Sequence, residues 1–232
     1  MHGAWHGGWC WRDVAEALRA RGHRVFTPTL TGLGERAHLM SRAITLDTFA
    51  ADVMGEMEAE ELSDVVLVGH SFAGGPVSAV AERMRPRIKS LVYLDSMIVQ
   101  PGQSPLDAIG PEAAAARRKT AQDFSGGLSL PPPPPASFGV PDGPAADWVR
   151  RRLTPHPFST YESPLNLSGP IGAGLPRTYV HCTHPVYASL APSRDWVRSQ
   201  PGWRWLEIPT GHDAMVLAPG PLSRLLETVA RG

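Results

Sequence analysis

The sequence predicts a mostly parallel, doubly wound α/β sheet with one inserted region, and three observations carry that prediction. Strand-like runs at Val65–Val68, Ile88–Leu94, Arg177–Cys182 and Trp203–Ile208 alternate with helical patterns. The most apolar of these runs read as strands buried on both faces, as in a parallel sheet. Between residues 101 and 174 the alternation stops, so that stretch reads as a cap inserted between sheet strands. The core is then residues 1–100 together with 175–232.

The elements follow in order. The chain opens on a stretch rich in glycine and aromatics, Met1 to Trp11. Arg12 to Arg21 reads as a helix with Val14, Ala17 and Leu18 on one face and Gly22 as its stop. A short strand is expected at Arg24–Pro28, then a Gly-containing loop, then a helix from Asp47 to Leu62 with Phe49, Val53 and Met57 at helical spacing. After Val65–Val68, the stretch Pro76–Arg85 carries Val77, Val80 and Met84 on one helical face. The inserted region holds an Ala-rich helix at Pro111–Gln122, five prolines at Pro131–Pro135 and a short helix at Ala145–Leu153. Proline donates no backbone hydrogen bond, so the run is expected to be an extended surface segment rather than a central strand. A helix around Ser193–Ser199 precedes the last strand. In the final helix Leu222, Leu225, Leu226 and Val229 face the sheet.

Composition excludes several classes. Lys plus Arg and Asp plus Glu are both 22 in 232 residues, and this balance gives no electrostatic case for nucleic acid or an anionic membrane surface. Two cysteines, Cys10 and Cys182, make no disulfide framework, and a cytoplasmic location is expected. No histidine spacing backed by cysteines or carboxylates suggests a metal site, and no cofactor is implied. Association as a homodimer stays open.

The chemistry centres on Val65 to Gly75, a strand running into Gly69-His70-Ser71-Phe72-Ala73-Gly74-Gly75 and then a helix. A serine at the apex of a sharp strand-to-helix turn is the setting of a nucleophile elbow. Gly69 and Ala73 are small because bulky side chains two residues either side of such a serine would collide. A Gly-rich turn with an incidental serine would look similar, but here the strand and helix fall where the motif requires them.

A serine hydroxyl needs a base to take its proton. His212 follows a predicted strand and Gly211, and it is the last of nine histidines, which fits the chain order nucleophile, acid, histidine. His70, adjacent to Ser71, reads as structural. Acyl transfer also needs donors for an oxyanion. The Phe72 N–H at the start of the elbow helix is one candidate, and the Ala4 N–H in His2-Gly3-Ala4-Trp5 is the other. Gly3 lets the backbone approach the substrate.

His2-Gly3-Ala4-Trp5-His6-Gly7-Gly8-Trp9, Gly69–Gly75 and Gly211-His212-Asp213-Ala214-Met215 together resemble the α/β-hydrolase superfamily. The resemblance is nearest to the branch of plant methyl-ester esterases (salicylate-binding-protein type) and hydroxynitrile lyases, with bacterial relatives, and it covers most of the sheet-forming chain but is weak across the cap. It implies Ser71 as nucleophile, His212 as base, and Ala4 and Phe72 as oxyanion donors.

Three departures from that branch matter. The plant esterases carry the triad acid just after the Cys-Thr ending the penultimate strand, whereas Cys182-Thr183-His184-Pro185-Val186-Tyr187 holds no carboxylate. Asp95, at the end of the strand beside the elbow strand, is the best substitute. A dyad supported by a carbonyl or water, with Asp95 structural, is the alternative. Asp213 follows His212 directly, and consecutive side chains diverge, so it is not expected to reach that ring; Asp195 lies in the following helix. Secondly, the lyases have a threonine at the position of Gly3 and a lysine at the position of Asp213, so their chemistry is not expected. Thirdly, relatives lead into His-Gly through an apolar central strand, which has no counterpart ahead of His2. Either the chain starts upstream of Met1, the simpler expectation, or another segment or chain fills that slot.

The function expected is a serine esterase acting on a small, largely apolar carboxylic ester through an acyl-enzyme on Ser71. Trp148, Phe158 and Tyr161 of the cap would wall its pocket. A non-catalytic binding protein on a retired hydrolase scaffold is the alternative from another class, and a lyase or cyclase on the same fold is third.

Overall fold

A computed structural model describes all 232 residues. The chain begins with α1 (Arg12–Arg19) and α2 (Leu46–Ala59), followed by β1 (Val65–His70), α3 (Gly74–Arg83) and β2 (Ile88–Leu94). The stretch from 101 to 174 contains α4 (Pro105–Ile109), α5 (Pro111–Ser125), β3 (Ser129–Leu130), α6 (Pro144–Arg150), β4 (His156–Pro157) and α7 (Ser159–Glu162). It is followed by β5 (Arg177–Cys182), α8 (Ala191–Ser199), β6 (Trp203–Ile208), α9 (Ala214–Leu217) and α10 (Pro219–Arg231). The main sheet has the order β1-β2-β5-β6, and every pair in it is parallel.

Both faces of the sheet are covered. Leu91 and Tyr93 of β2 pack with Phe49 of α2 and Val77 of α3, whereas Val92 and Leu94 pack with Val14 of α1 and Leu222 of α10. Each helix covering a face buries its apolar stripe there, which gives the doubly wound layering. Local chemistry sets the helix ends. Thr45 and Thr48 cap α2 reciprocally, and Gly126 ends α5 in the left-handed conformation. β3 and β4 form a separate antiparallel ribbon, with Leu130 opposite His156.

The expected strand at Arg24–Pro28 does not form. A strand needs a neighbour to satisfy its backbone groups, and none lies beside it. Met1 sits against the far end of β1: its ammonium donates to the Val68 carbonyl at 2.6 Å and its carbonyl accepts from the His70 N–H at 3.1 Å. Between Val65–Val68 and Val25–Thr27 lies a cavity of about 500 Å³ lined mainly by apolar side chains. Burial pushes the pKa of the Met1 ammonium down to about 6. No helix is long and apolar enough to cross a membrane.

Candidate active site

β1 ends at His70, and Ser71 turns with φ +56°, a left-handed conformation that non-glycine residues adopt at a cost of about 1–3 kcal/mol. The turn is held from the segment that follows β2: the Ser71 carbonyl accepts from the Met97 N–H at 2.8 Å and from the Ser96 hydroxyl at 2.7 Å. Small residues flank it for steric reasons. A Cβ on Gly69 would lie 2.5 Å from Val77 Cγ2, and one on Gly74 would lie 2.0 Å from the Met97 carbonyl oxygen. Ala73 is fully buried, so its methyl is as much as the turn holds there.

The Ser71 hydroxyl lies 2.9 Å from His212 Nε2, and His212 Nδ1 lies 2.7 Å from Asp95 Oδ2. Asp95 is fully buried just beyond β2, with φ +37°, and its N–H donates to the Val180 carbonyl at 2.7 Å. Its other oxygen, Oδ1, faces His181 Nδ1 at 3.4 Å and Arg194 Nη1 at 3.8 Å. A carboxylate surrounded in this way fixes the Nδ1–H tautomer of His212 and leaves Nε2 free to accept from Ser71. The backbone of His212 is fixed too, since its carbonyl accepts from His70 Nε2 at 3.0 Å. Burial, with His212 nearby, holds the His70 pKa well below its ordinary value, so this ring is a neutral strut.

Opposite Ser71 runs the loop His2–His6. A Cβ on Gly3 would lie 2.8 Å from Ser71 Cβ and 3.0 Å from His70 Nδ1, so this position admits no side chain in this arrangement. The Ala4 N–H has no acceptor within the protein. Phe72 begins the first helical turn after Ser71, where N–H groups lack intrahelical partners. Trp5 has φ +64°, and its N–H donates to His156 Nδ1 at 3.3 Å.

Of the expected cap residues, Tyr161 lies one ring from the elbow, 4.7 Å from the Phe72 centroid, with Phe158 behind it at 6.4 Å. Trp148 is a correction. It packs edge-on to Trp9 and is flanked by Arg12 and Arg152, and it makes no ring contact with Phe72, Tyr161 or His212. Two rings that the sequence reading missed cover His212: Tyr187 stacks on it at 4.1 Å and Phe138 at 6.2 Å. Tyr187 lies in the loop noted above only for lacking a carboxylate. Asp195 is exposed on α8, and Asp213 turns away from His212 toward His6. Both cysteines are buried and free, and burial raises both thiol pKa values, so neither is a poised nucleophile.

The arrangement brings a serine hydroxyl, an imidazole and a buried carboxylate into one hydrogen-bonded line, with the Gly3–Ala4 loop packed against the serine, a set of groups suited to acyl transfer. The model of the "Alpha/beta hydrolase family" matches residues 1–225. A carbendazim hydrolyzing esterase of Nocardioides sp. (strain SG-4G) is 44% identical over 234 residues, covering 97% of this chain and 96% of that protein. The putative methylesterase 14 of Arabidopsis thaliana is 30% identical over 119 residues, 51% of this chain and 34% of that protein. Among solved structures, an extracellular α/β-hydrolase from a Paenibacillus species, described as homologous to tobacco salicylic acid binding protein 2, superposes with a TM-score of 0.82. It shares 22% identity and the match covers 100% of this chain and 98% of that one. With the model matched over nearly its whole length, the chain belongs to the alpha/beta hydrolase family.

Proposed function

We propose that this protein is a serine hydrolase that cleaves a small, largely apolar carboxylic ester through an acyl-enzyme on Ser71. The observation that carries the reading is the unbroken relay Ser71–His212–Asp95, with its spacings of 2.9 Å and 2.7 Å. Ser71 Oγ attacks the ester carbonyl carbon as its proton passes to His212 Nε2. The oxyanion that forms accepts from the N–H groups of Ala4 and Phe72. His212 then returns the proton to the departing alcohol, and a water molecule, activated by the same nitrogen, releases the acid.

The surroundings support ester cleavage over the alternatives. At Gly3 there is no space for the threonine of the lyases, and Asp213, in place of their lysine, is paired with His6. The complete relay speaks against a retired scaffold. Residues 101–174 act as a cap, placing Phe138, His156 and Tyr161 around Trp5, Phe72 and His212. Those rings make an apolar wall suited to the acyl or alcohol group. The buried free cysteines suit a cytoplasmic enzyme.

p-Nitrophenyl acetate and butyrate, with carbendazim as a probe taken from the 44% identical relative, test the reading. Wild type is expected to turn over the esters and to be labelled by a fluorophosphonate on Ser71, and Ser71→Ala to lose both. Turnover surviving in Ser71→Ala would refute it.

A further inference from the structure

The molecule holds a second buried histidine–aspartate pair that the relay does not use. His6 Nε2 and Asp213 Oδ2 are 3.1 Å apart, and the two side chains are 1% and 0% exposed. They come from opposite ends of the chain. The other ring nitrogen of His6, Nδ1, lies 2.8 Å from the Ala4 carbonyl oxygen. A carbonyl can only accept, so Nδ1 must carry a proton, and a carboxylate facing Nε2 asks for a proton there as well. The ring is therefore an imidazolium paired with an anionic Asp213. Burial opposes that charge, but Asp213 and the Ala4 carbonyl outweigh it and raise the His6 pKa.

What this ring holds is specific. The Ala4–Trp5 peptide is gripped at both ends: its carbonyl by His6, and its N–H by His156 Nδ1, whose Nε2–H in turn donates to Thr160 Oγ1 at 2.9 Å. The preceding Gly3–Ala4 peptide is gripped at its carbonyl by His2 Nδ1–H at 2.8 Å, while His2 Nε2 accepts from the Leu30 N–H at 3.0 Å. Only the Ala4 N–H is left over, aimed by peptides that cannot rotate. Asp213 is the residue after His212, and its own N–H donates to the Phe138 carbonyl at 3.2 Å. Asp213 Oδ1 has no donor in the protein, so the carboxylate is placed for His6 rather than for its own solvation.

We propose that the His6–Asp213 ion pair is a positioning strut. It ties the loop that presents the Ala4 N–H to the segment carrying His212, and so sets the distance between oxyanion donor and base. His2 and His156, held neutral by burial, complete the grip. Neither His6 nor Asp213 moves a proton in the reaction. The inference rests on the ester-hydrolase reading, because it assigns the strut to that oxyanion site.

The test compares kcat, KM and the affinity for a trifluoromethyl ketone, which forms an oxyanion on the serine, in His6→Gln, Asp213→Asn and the double variant. Each single variant is expected to lose roughly 10²-fold in kcat and a similar factor in ketone affinity, with KM changed less than threefold or so, as for a misaligned donor. The double variant is expected to be no slower than the singles, because both break one link. A His6→Met/Asp213→Leu protein removes both charges together and so leaves no unpaired buried charge, only the Ala4 carbonyl without its donor; a circular-dichroism spectrum like wild type's shows that it is folded for the same measurement. Wild-type kcat in that protein, or losses in kcat that add while ketone affinity stays constant, would overturn the strut. Ser71→Ala separates the two readings: turnover that survives it overturns the hydrolase, whereas turnover lost there but intact in the strut variants overturns the strut alone.

Discussion

Two buried histidine–aspartate pairs flank His70, whose ring centroid lies 4.6 Å from that of His212 and 6.2 Å from that of His6, and they differ in what faces the far nitrogen. At His212 that partner is the Ser71 hydroxyl at 2.9 Å, which can give up a proton. At His6 it is the Ala4 carbonyl at 2.8 Å, which cannot. The first ring is therefore an acceptor waiting for a proton, and the second already carries two. The carboxylates differ in the same sense. Asp95 faces His212, His181 and Arg194, whereas Asp213 serves His6 alone. The same two residue types thus suit a proton relay in one place and a fixed charge in the other, and the third partner decides which.

The largest effect that would break this contrast lies at Asp95. Asp95→Asn keeps the shape but favours the wrong His212 tautomer, and kcat on p-nitrophenyl butyrate is expected to fall by roughly 10⁴-fold. That loss should exceed the loss at Asp213→Asn by about two orders of magnitude. A near-normal rate in Asp95→Asn would mean that the relay ends at His212.

A smaller effect is the dependence of stability on pH. Burial holds His2, His70 and His156 neutral, with the His2 pKa pushed down to about 3. In the unfolded chain each takes up a proton near its ordinary pKa of about 6.5. The stability they support is complete above that value and is lost as the pH falls below it, by up to about 1.4 kcal/mol per pH unit for each ring. His6 acts in the opposite sense, its contribution being complete at low pH and lost as the pH rises through its raised pKa. Three rings against one make acid the weaker side, so the Tm from thermal unfolding should drop between roughly pH 7 and pH 5. A Tm that is flat or rising over that interval would contradict the neutral assignments.

Much of this was legible in the sequence. β2, β5 and β6 end where the strand-like runs end, and Ser71 and His212 follow from a strand–turn–helix setting and from chain order. Asp95 emerged by elimination at a strand end, where parallel sheets gather their chemistry. Arg24–Pro28 misled because β-propensity reads as a strand, but the ladder needs a neighbour. The His6–Asp213 pair was out of reach, since nothing local links positions separated by 207 in the chain. Aromatic residues in the cap were visible as packing material, but their direction was not. Trp148 faces Trp9, whereas Tyr187 and Phe138, which were not singled out, cover His212.

The contrast between the two pairs can be read directly from the ring protons. A long-range 15N–1H correlation spectrum of the imidazoles at neutral pH, assigned with His6→Gln and His212→Gln, reports which nitrogens are protonated. Two protonated nitrogens are expected on His6, and a proton on Nδ1 alone on His212. A His6 ring with an unprotonated nitrogen, or a His212 carrying its proton on Nε2, would contradict that contrast.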